Sequence, residues 1–320
     1  MKVSRSAQVA VDVDSTWCAW TTASGSVQVL NLMNEGFEEV IDAGWGDAVH
    51  AGAGTGRFLI QEGRSLHVWS PETGSEEKGT VDPGALLLEY PRDDGTAIAA
   101  ATKTSLELFE GAKTLFSQPL QAPPLLLAWQ RRRRNVLCLL TDGTTHKVDP
   151  RTGRITTFRI ASDKELFVSC YDEVLGGIWS VSTDSPDVAC FDRLETDPPT
   201  RIYRKELNVV PETIRTSHSG EWLIIRSSDT RPTLLFNVNS DRGFDAPGEL
   251  ASRGVPGVFS YDNRLVSVEG DVFETLPVPA RADVRSRDGH LPTDAFWTAP
   301  PRMHRAALSK RKSVAAEKSR

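Results

Sequence analysis

The stretch Leu66-His67-Val68-Trp69-Ser70-Pro71-Glu72-Thr73-Gly74 returns 80 residues later as His146-Lys147-Val148-Asp149-Pro150-Arg151-Thr152-Gly153. Each is an apolar strand end running into a Pro-x-Thr-Gly turn. The interval is two units of a repeat near forty residues, the length of a four-stranded unit that must stack on its neighbours to bury its faces. Taking the end of each third strand as an anchor gives Asn31, Trp69, Phe109, Asp149, Phe191, Phe236 and Phe273, separated by 38, 40, 40, 42, 45 and 37 residues. That regularity leaves little room for a helical bundle or a doubly wound sheet.

Between the anchors the pattern is strand, turn, strand, polar turn, strand, tight turn, strand. The first unit reads as Gln8–Asp12, Thr16–Thr21, Ser26–Leu32 and Phe37–Ile41. Asp94-Gly95 and Asp142-Gly143 are favoured hairpin turns because both positions tolerate positive φ. Short, evenly punctuated strands rich in Val, Ile, Leu, Phe and Trp predict an all-β propeller. Radial packing also protects the edges of many small sheets. The expected blades span 7–43, 48–82, 85–118, 124–161, 165–206, 209–250 and 255–286. Seven four-stranded blades fit best, and counting by itself leaves six and eight open. Closure is ambiguous: Ala282–Ser286 would be the last outer strand, with residues 7–13 as the inner strand of blade one or borrowed to complete blade seven.

Beyond the ring (1–286) the composition changes. Residues 281–320 carry ten Lys/Arg against four Asp/Glu, so a chain of net charge −6 has an acidic body and a basic end. The acidic body argues against general nucleic-acid binding, which needs positive surface to displace phosphate counterions. Low hydrophobicity and like charge predict a largely disordered tail over 287–320, with Arg302–Lys312 fraying in and out of helix. Phe296 and Trp297 interrupt it as an aromatic segment suited to docking on this ring or on a neighbouring protein. No run approaches the length of a membrane span, and the N-terminal residues lack the apolar core of a secretory signal. Cys18, Cys138, Cys170 and Cys190 lie in strand-like runs without metal or redox spacing, which reads as buried thiols in a reducing, cytoplasmic setting.

The turns Val68-Trp69-Ser70-Pro71-Glu72-Thr73-Gly74 and Val148-Asp149-Pro150-Arg151-Thr152-Gly153 resemble those of WD40-like, YVTN-like and quinoprotein-like propellers. Asn237-Val238-Asn239-Ser240-Asp241-Arg242-Gly243 is a looser relative. The resemblance covers roughly residues 7–276 as architecture. Repeated Gly-His and Trp-Asp dipeptides and the quinoprotein tryptophan docking motif are absent, so it names a superfamily and no family. It implies a ring that presents binding surfaces. In bacteria such rings sometimes belong to assemblies built around AAA-type ATPases and von Willebrand-type domains.

Catalytic motifs are sparse. Gly52-Ala53-Gly54-Thr55-Gly56 looks like a phosphate-cradling loop, but the strand Phe58-Leu59-Ile60 follows where a dinucleotide site needs a helix. It reads as a hairpin turn. There is no Walker lysine motif and no Gly-x-Ser-x-Gly elbow. The histidines (His50, His67, His146, His218, His290, His304) never pair at helical metal spacing. No cofactor or metal is expected.

The surface readings are therefore about partners. Turns between second and third strands share one face with the inter-blade links, and supply Trp45, Asp47, Glu62, Arg64, Lys103, Asp184, Asp187, Asp229, Arg231, Glu269 and Asp271. Mixed charge with a large aromatic suits a protein-binding rim; Trp45, between Gly44 and Gly46, is the strongest candidate. Arg131-Arg132-Arg133-Arg134 falls on the opposite face. Either it pairs with nearby acids as a solvated turn, or Arg132 and Arg133 contact an acidic peptide or phosphate. The expectation is a non-enzymatic interaction scaffold whose partners are other proteins. A lactonase-like hydrolase or lyase with a polar site at the central mouth is the alternative, and a polyanion binder working through the tail is a third.

Overall fold

The computed structural model describes residues 8–33, 40–93, 95–160, 165–183, 185–192, 200–206, 210–227, 232–239, 242–255, 257–269, 272–278, 302–305 and 308–309. Over 185–192, 200–206, 242, 302–305 and 308–309 only the backbone is described. Val9–Val11 (β1), Trp17–Thr21 (β2), Ser26–Asn31 (β3) and Val40–Trp45 (β4) form the first sheet. Ala48–Ala51 (β5), Phe58–Glu62 (β6), Ser65–Ser70 (β7) and Gly74–Thr80 (β8) form the next. Leu86–Arg92 (β9), Gly95–Ala101 (β10), Ser105–Glu110 (β11) and Lys113–Pro119 (β12) follow, then Pro124–Gln130 (β13), Asn135–Leu140 (β14), Thr144–Val148 (β15) and Ile155–Arg159 (β16). After them come Leu166–Asp172 (β17), Gly177–Ser182 (β18), Ser185–Asp192 (β19) and Thr200–Glu206 (β20). Pro211–Thr216 (β21), Trp222–Ser227 (β22), Leu234–Asn237 (β23) and Arg242–Asp245 (β24) precede a single helical turn, Glu249–Ser252 (α1). Gly257–Phe259 (β25), Arg264–Glu269 (β26), Val272–Pro277 (β27) and Arg302–Arg305 (β28) form the last sheet, and Leu308–Ser309 (β29) returns to the first.

Within each sheet consecutive strands pair antiparallel, and the cores lie between sheets. Val29, Val49 and Phe58 join the first two sheets; Leu59, Leu87 and Ile98 join the next pair. Val268 and Phe273 of the last sheet pack with Trp20 and Leu30 of the first, closing the circle. This is a β-propeller. Residue choice follows radial position. The second strands are covered on both sides, so β6 (Phe-Leu-Ile-Gln) and β14 (Val-Leu-Cys-Leu-Leu) are almost continuously buried. The outer strand β8, Gly-Ser-Glu-Glu-Lys-Gly-Thr, is polar and largely exposed. Alanines in β10 fit the narrow part of the wedge. Each fully buried Leu or Phe in these seams contributes about 2 kcal/mol.

Buried carboxylates stitch neighbouring turns. Asp12 accepts from the amides of Thr16 and Trp17 at 2.7 and 2.9 Å, and across the seam from the Gly56 amide at 2.9 Å. Glu89 accepts from the Ala53 amide at 2.8 Å and from Arg57 Nη2 at 2.7 Å. Gly52–Gly56 is thus the hairpin turn expected, and two amides that could face an anion face protein carboxylates. Glu274 on β27 likewise accepts from the amides of Glu249 and Leu250 at the start of α1, at 2.6 and 2.9 Å.

Three expectations are corrected. Six sheets have four strands, not seven, and the first sheet has five because β29 adds to it in parallel beside β4. The outer strand of the last sheet is β28 and not Ala282–Ser286, which lies outside the described residues. The segment expected to fray into helix therefore supplies strands, since the open edges of β27 and β4 offer backbone partners that a short, weakly amphipathic helix lacks. Residues 9–11 are the inner strand of the first sheet, paired with β2. Among the described residues no helix is long and apolar enough to cross a membrane.

Candidate functional site

The sheet order defines two faces. One holds the turns between second and third strands together with the links between sheets. The Asp47 carboxylate in a link accepts from the Gly63 amide in such a turn at 2.8 Å, and Arg64 in that turn meets Asp82 in the next link at 3.0 Å. Trp45, Glu62 and Arg64 are therefore gathered on this face, as the sequence predicts. Trp45 ends β4 opposite Ser26, and the residue is 63% exposed. Lys103 is exposed in the corresponding turn one sheet on. Asp184, Asp229, Arg231, Phe296 and Trp297 lie outside the described residues. A shallow cleft of about 510 Å³ runs beside Arg64, Asp82, Thr102 and Glu107. Arg64 is already matched by Asp82 there, so the cleft carries no excess positive charge.

The opposite face holds the first-to-second and third-to-fourth strand turns. Here the β9–β10 turn, the arginine turn 131–134 and the Asp149-Pro150-Arg151 turn converge on a cleft of about 500 Å³. Its lining brings together Arg92, Arg133, Arg134 and Arg151, with Asp93, Asp149, Pro91, Pro150 and Trp129. Four guanidinium groups against the two lining carboxylates, with Glu110 3.8 Å from Arg92, still leave the cleft positive. Trp129 is half-buried and stacks on Tyr90, with ring centroids 5.4 Å apart and planes 25° apart. Tyr90 is fully buried and its Oη has no hydrogen-bond partner. Burial pushes that phenol up to about 12, so it remains a neutral donor at physiological pH.

Both readings of the arginine run have structural content. Arg131 donates to the carbonyl of Val13 and stands 3.7 Å from Asp14. Arg134, at φ +53°, meets Asp93 at 3.3 Å. Glu173 is raised mainly by burial while accepting from the amides of Arg131 and Arg132, a contact that fixes the turn. Those contacts are the solvated-turn reading. Arg133 and Arg151 are exposed and line the cleft, while Arg132 is exposed in the same turn without lining it. Burial tends to raise Asp149, but bonds from Thr152 and Arg151 hold it below the usual carboxylate range. It stays charged and shapes the turn that carries Arg151.

Arg92, Trp129 and Arg151 are the lining residues that reading the chain linearly does not pick out. The signal was available: both kinds of turn fall on one face, so turns forty residues apart become neighbours. Among the described residues no three His, Cys, Asp or Glu side chains stand close enough to hold a metal ion. His146 is buried, with Nδ1 3.0 Å from Thr157 Oγ1. Cys18 and Cys138 are buried free thiols and Cys170 is half-buried. No protein-family model matches this sequence, and no curated protein matches it at a significant level.

Proposed function

We propose that this propeller is a non-enzymatic interaction scaffold, and that its cleft between the β9–β12 and β13–β16 sheets grips an acidic segment of a partner protein. One observation carries the reading: four arginines from three separate turns meet over a half-buried tryptophan in a single cleft. Arginine forks match carboxylates bidentately, and an aromatic floor between them supplies apolar contact, the combination that anchors many interfaces. The likeness of the Pro-x-Thr-Gly turns to those of WD40-like rings fits the same role, and one of those turns carries Arg151. The rim around Trp45 offers a second contact surface on the other face.

The test uses a fluorescent glutamate-rich peptide as probe. Saturable anisotropy binding that weakens with rising salt is expected, together with about a tenfold loss in the Arg133→Ala/Arg151→Ala double variant. Both residues are exposed, so folding is expected to survive. Peptide binding that is absent, or unchanged in the double variant, would reject the cleft as the site.

A further inference from the structure

The inside of the ring holds an arginine that no carboxylate among the described residues neutralises. Arg215 lies on β21, the innermost strand of its sheet, and its Nη2 donates to the carbonyl oxygen of Val9 at 2.8 Å. Val9 is on β1, the innermost strand of a sheet that is not adjacent. The β25–β28 sheet intervenes, packing against β22 and β23 on one side and β2 and β3 on the other. A bond between inner strands of non-neighbouring sheets runs across the inside of the ring. Among the described residues, one carbonyl is thus the hydrogen-bond partner of a guanidinium with five N–H donors.

No carboxylate among the described residues pairs with Arg215. Burial draws its pKa below the usual arginine value, with the nearby Cys170 sulfur opposing that shift. Yet Arg215 keeps part of its surface accessible, as expected of a side chain facing enclosed polar space. Thr213, two residues earlier, shares its face of the strand. Four other inner strands carry polar atoms without partners: His50 Nε2 on β5, Tyr90 Oη on β9, Gln130 Oε1 on β13 and Ser169 Oγ on β17. Burying a charge without a counter-charge is unfavourable unless an ion or hydrogen bonds compensate.

We infer that Arg215 anchors a binding site for a small oxyanion, a carboxylate or phosphate group, on the inner side of the ring. The site is separate from the surface cleft and does not depend on the scaffold reading. Arg131 bonds to Val13, which follows the inner strand of a sheet that is not adjacent to its own, and this crossing on the cleft face favours small ligands.

Isothermal titration of the full chain with inorganic phosphate and, separately, with succinate tests this and tells the two chemistries apart. One of the two is expected to bind saturably with one site per chain and to raise the unfolding temperature at constant ionic strength. Arg215→Met is expected to abolish both effects, and the Arg133→Ala/Arg151→Ala variant to keep them. Should the methionine variant not fold, Arg215→Lys carries the test: losing the fork is expected to weaken binding about tenfold. Failure of both probes to bind the wild-type chain, or equal binding by the Arg215 variant, would overturn the assignment.

Discussion

Glu89 on β9 holds Arg57 of the preceding sheet, with Oε1 2.7 Å from Nη2 and Oε2 3.2 Å from Nε. The carboxylate side chain is 1% exposed and the arginine 27%. Burial alone would raise Glu89; the bonds from Arg57, Ala53 and Thr96 more than offset it, so its pKa is lowered. Breaking a buried pair strands the remaining charge. Glu89→Ala is expected to lower unfolding free energy by about 3 kcal/mol, near the small end for such pairs because Arg57 retains some water. Urea denaturation at pH 7 measures it, and a loss under about 1 kcal/mol would show that the seam does not depend on this pair. With a depressed folded pKa, the contribution is complete above the unfolded value near 4.5 and is lost as pH falls through the folded one.

His50 acts in the window just above. Burial pushes it down to about 4 from 6.5, and its Nε2 has no partner that could hold a proton in place. Between those values the unfolded chain binds a proton that the folded chain does not. Stability therefore falls as pH drops from 6.5 toward 4, by at most about 3 kcal/mol. His146, also lowered mainly by burial, adds in the same direction. His50→Gln is expected to flatten the dependence of the denaturation midpoint over this range. An unchanged slope would assign it elsewhere.

Much of this architecture is legible in the chain because period-two strands and turn residues are local signals. The Pro-x-Thr-Gly turns sit where expected, at Ser70–Gly74 and Val148–Ile155. Gathering Trp45, Glu62 and Arg64 on one face needed nothing beyond strand counting. Other features depend on distant partners. Arg131 reaching Val13, Arg57 reaching Glu89 and Arg215 reaching Val9 are fixed by the circle and not by neighbouring residues. The last outer strand is hidden from the sequence for the same reason: Arg302–Arg305 is a basic stretch with no strand pattern, and an open edge on β27 selects it.

That edge gives a prediction. Thr275, Glu274, Phe273 and Val272 of β27 face Arg302, Met303, His304 and Arg305 in register, and 24 residues separate the two strands. A chain ending at residue 301 leaves β27 without its outer neighbour and β4 without β29. An unpaired edge on a buried strand templates association. The truncated chain is expected to unfold at lower temperature and to form higher species in sedimentation velocity as concentration rises. Monomeric behaviour with unchanged unfolding would mean that β28 contributes nothing to closure.

Trp45 and Gly46 are adjacent and should fail in opposite ways. The Trp45 ring lies over Gly25 at the surface, so Trp45→Ala removes little buried area and is expected to change stability by no more than about 0.5 kcal/mol. Gly46 is buried, and a Cβ there would come within 2.6 Å of Ile60 Cγ2 and 2.9 Å of Val27 Cγ2. Neither branched side chain can move without disturbing the seam between the first two sheets. Gly46→Ala is therefore expected to cost about 1–3 kcal/mol, the usual penalty for overpacking. If Trp45 serves as a partner anchor, its alanine variant keeps its melting curve while losing affinity for any protein bound on that face. A Trp45→Ala melting curve lowered as far as that of Gly46→Ala would make the tryptophan a packing residue, and the rim would lose its strongest candidate.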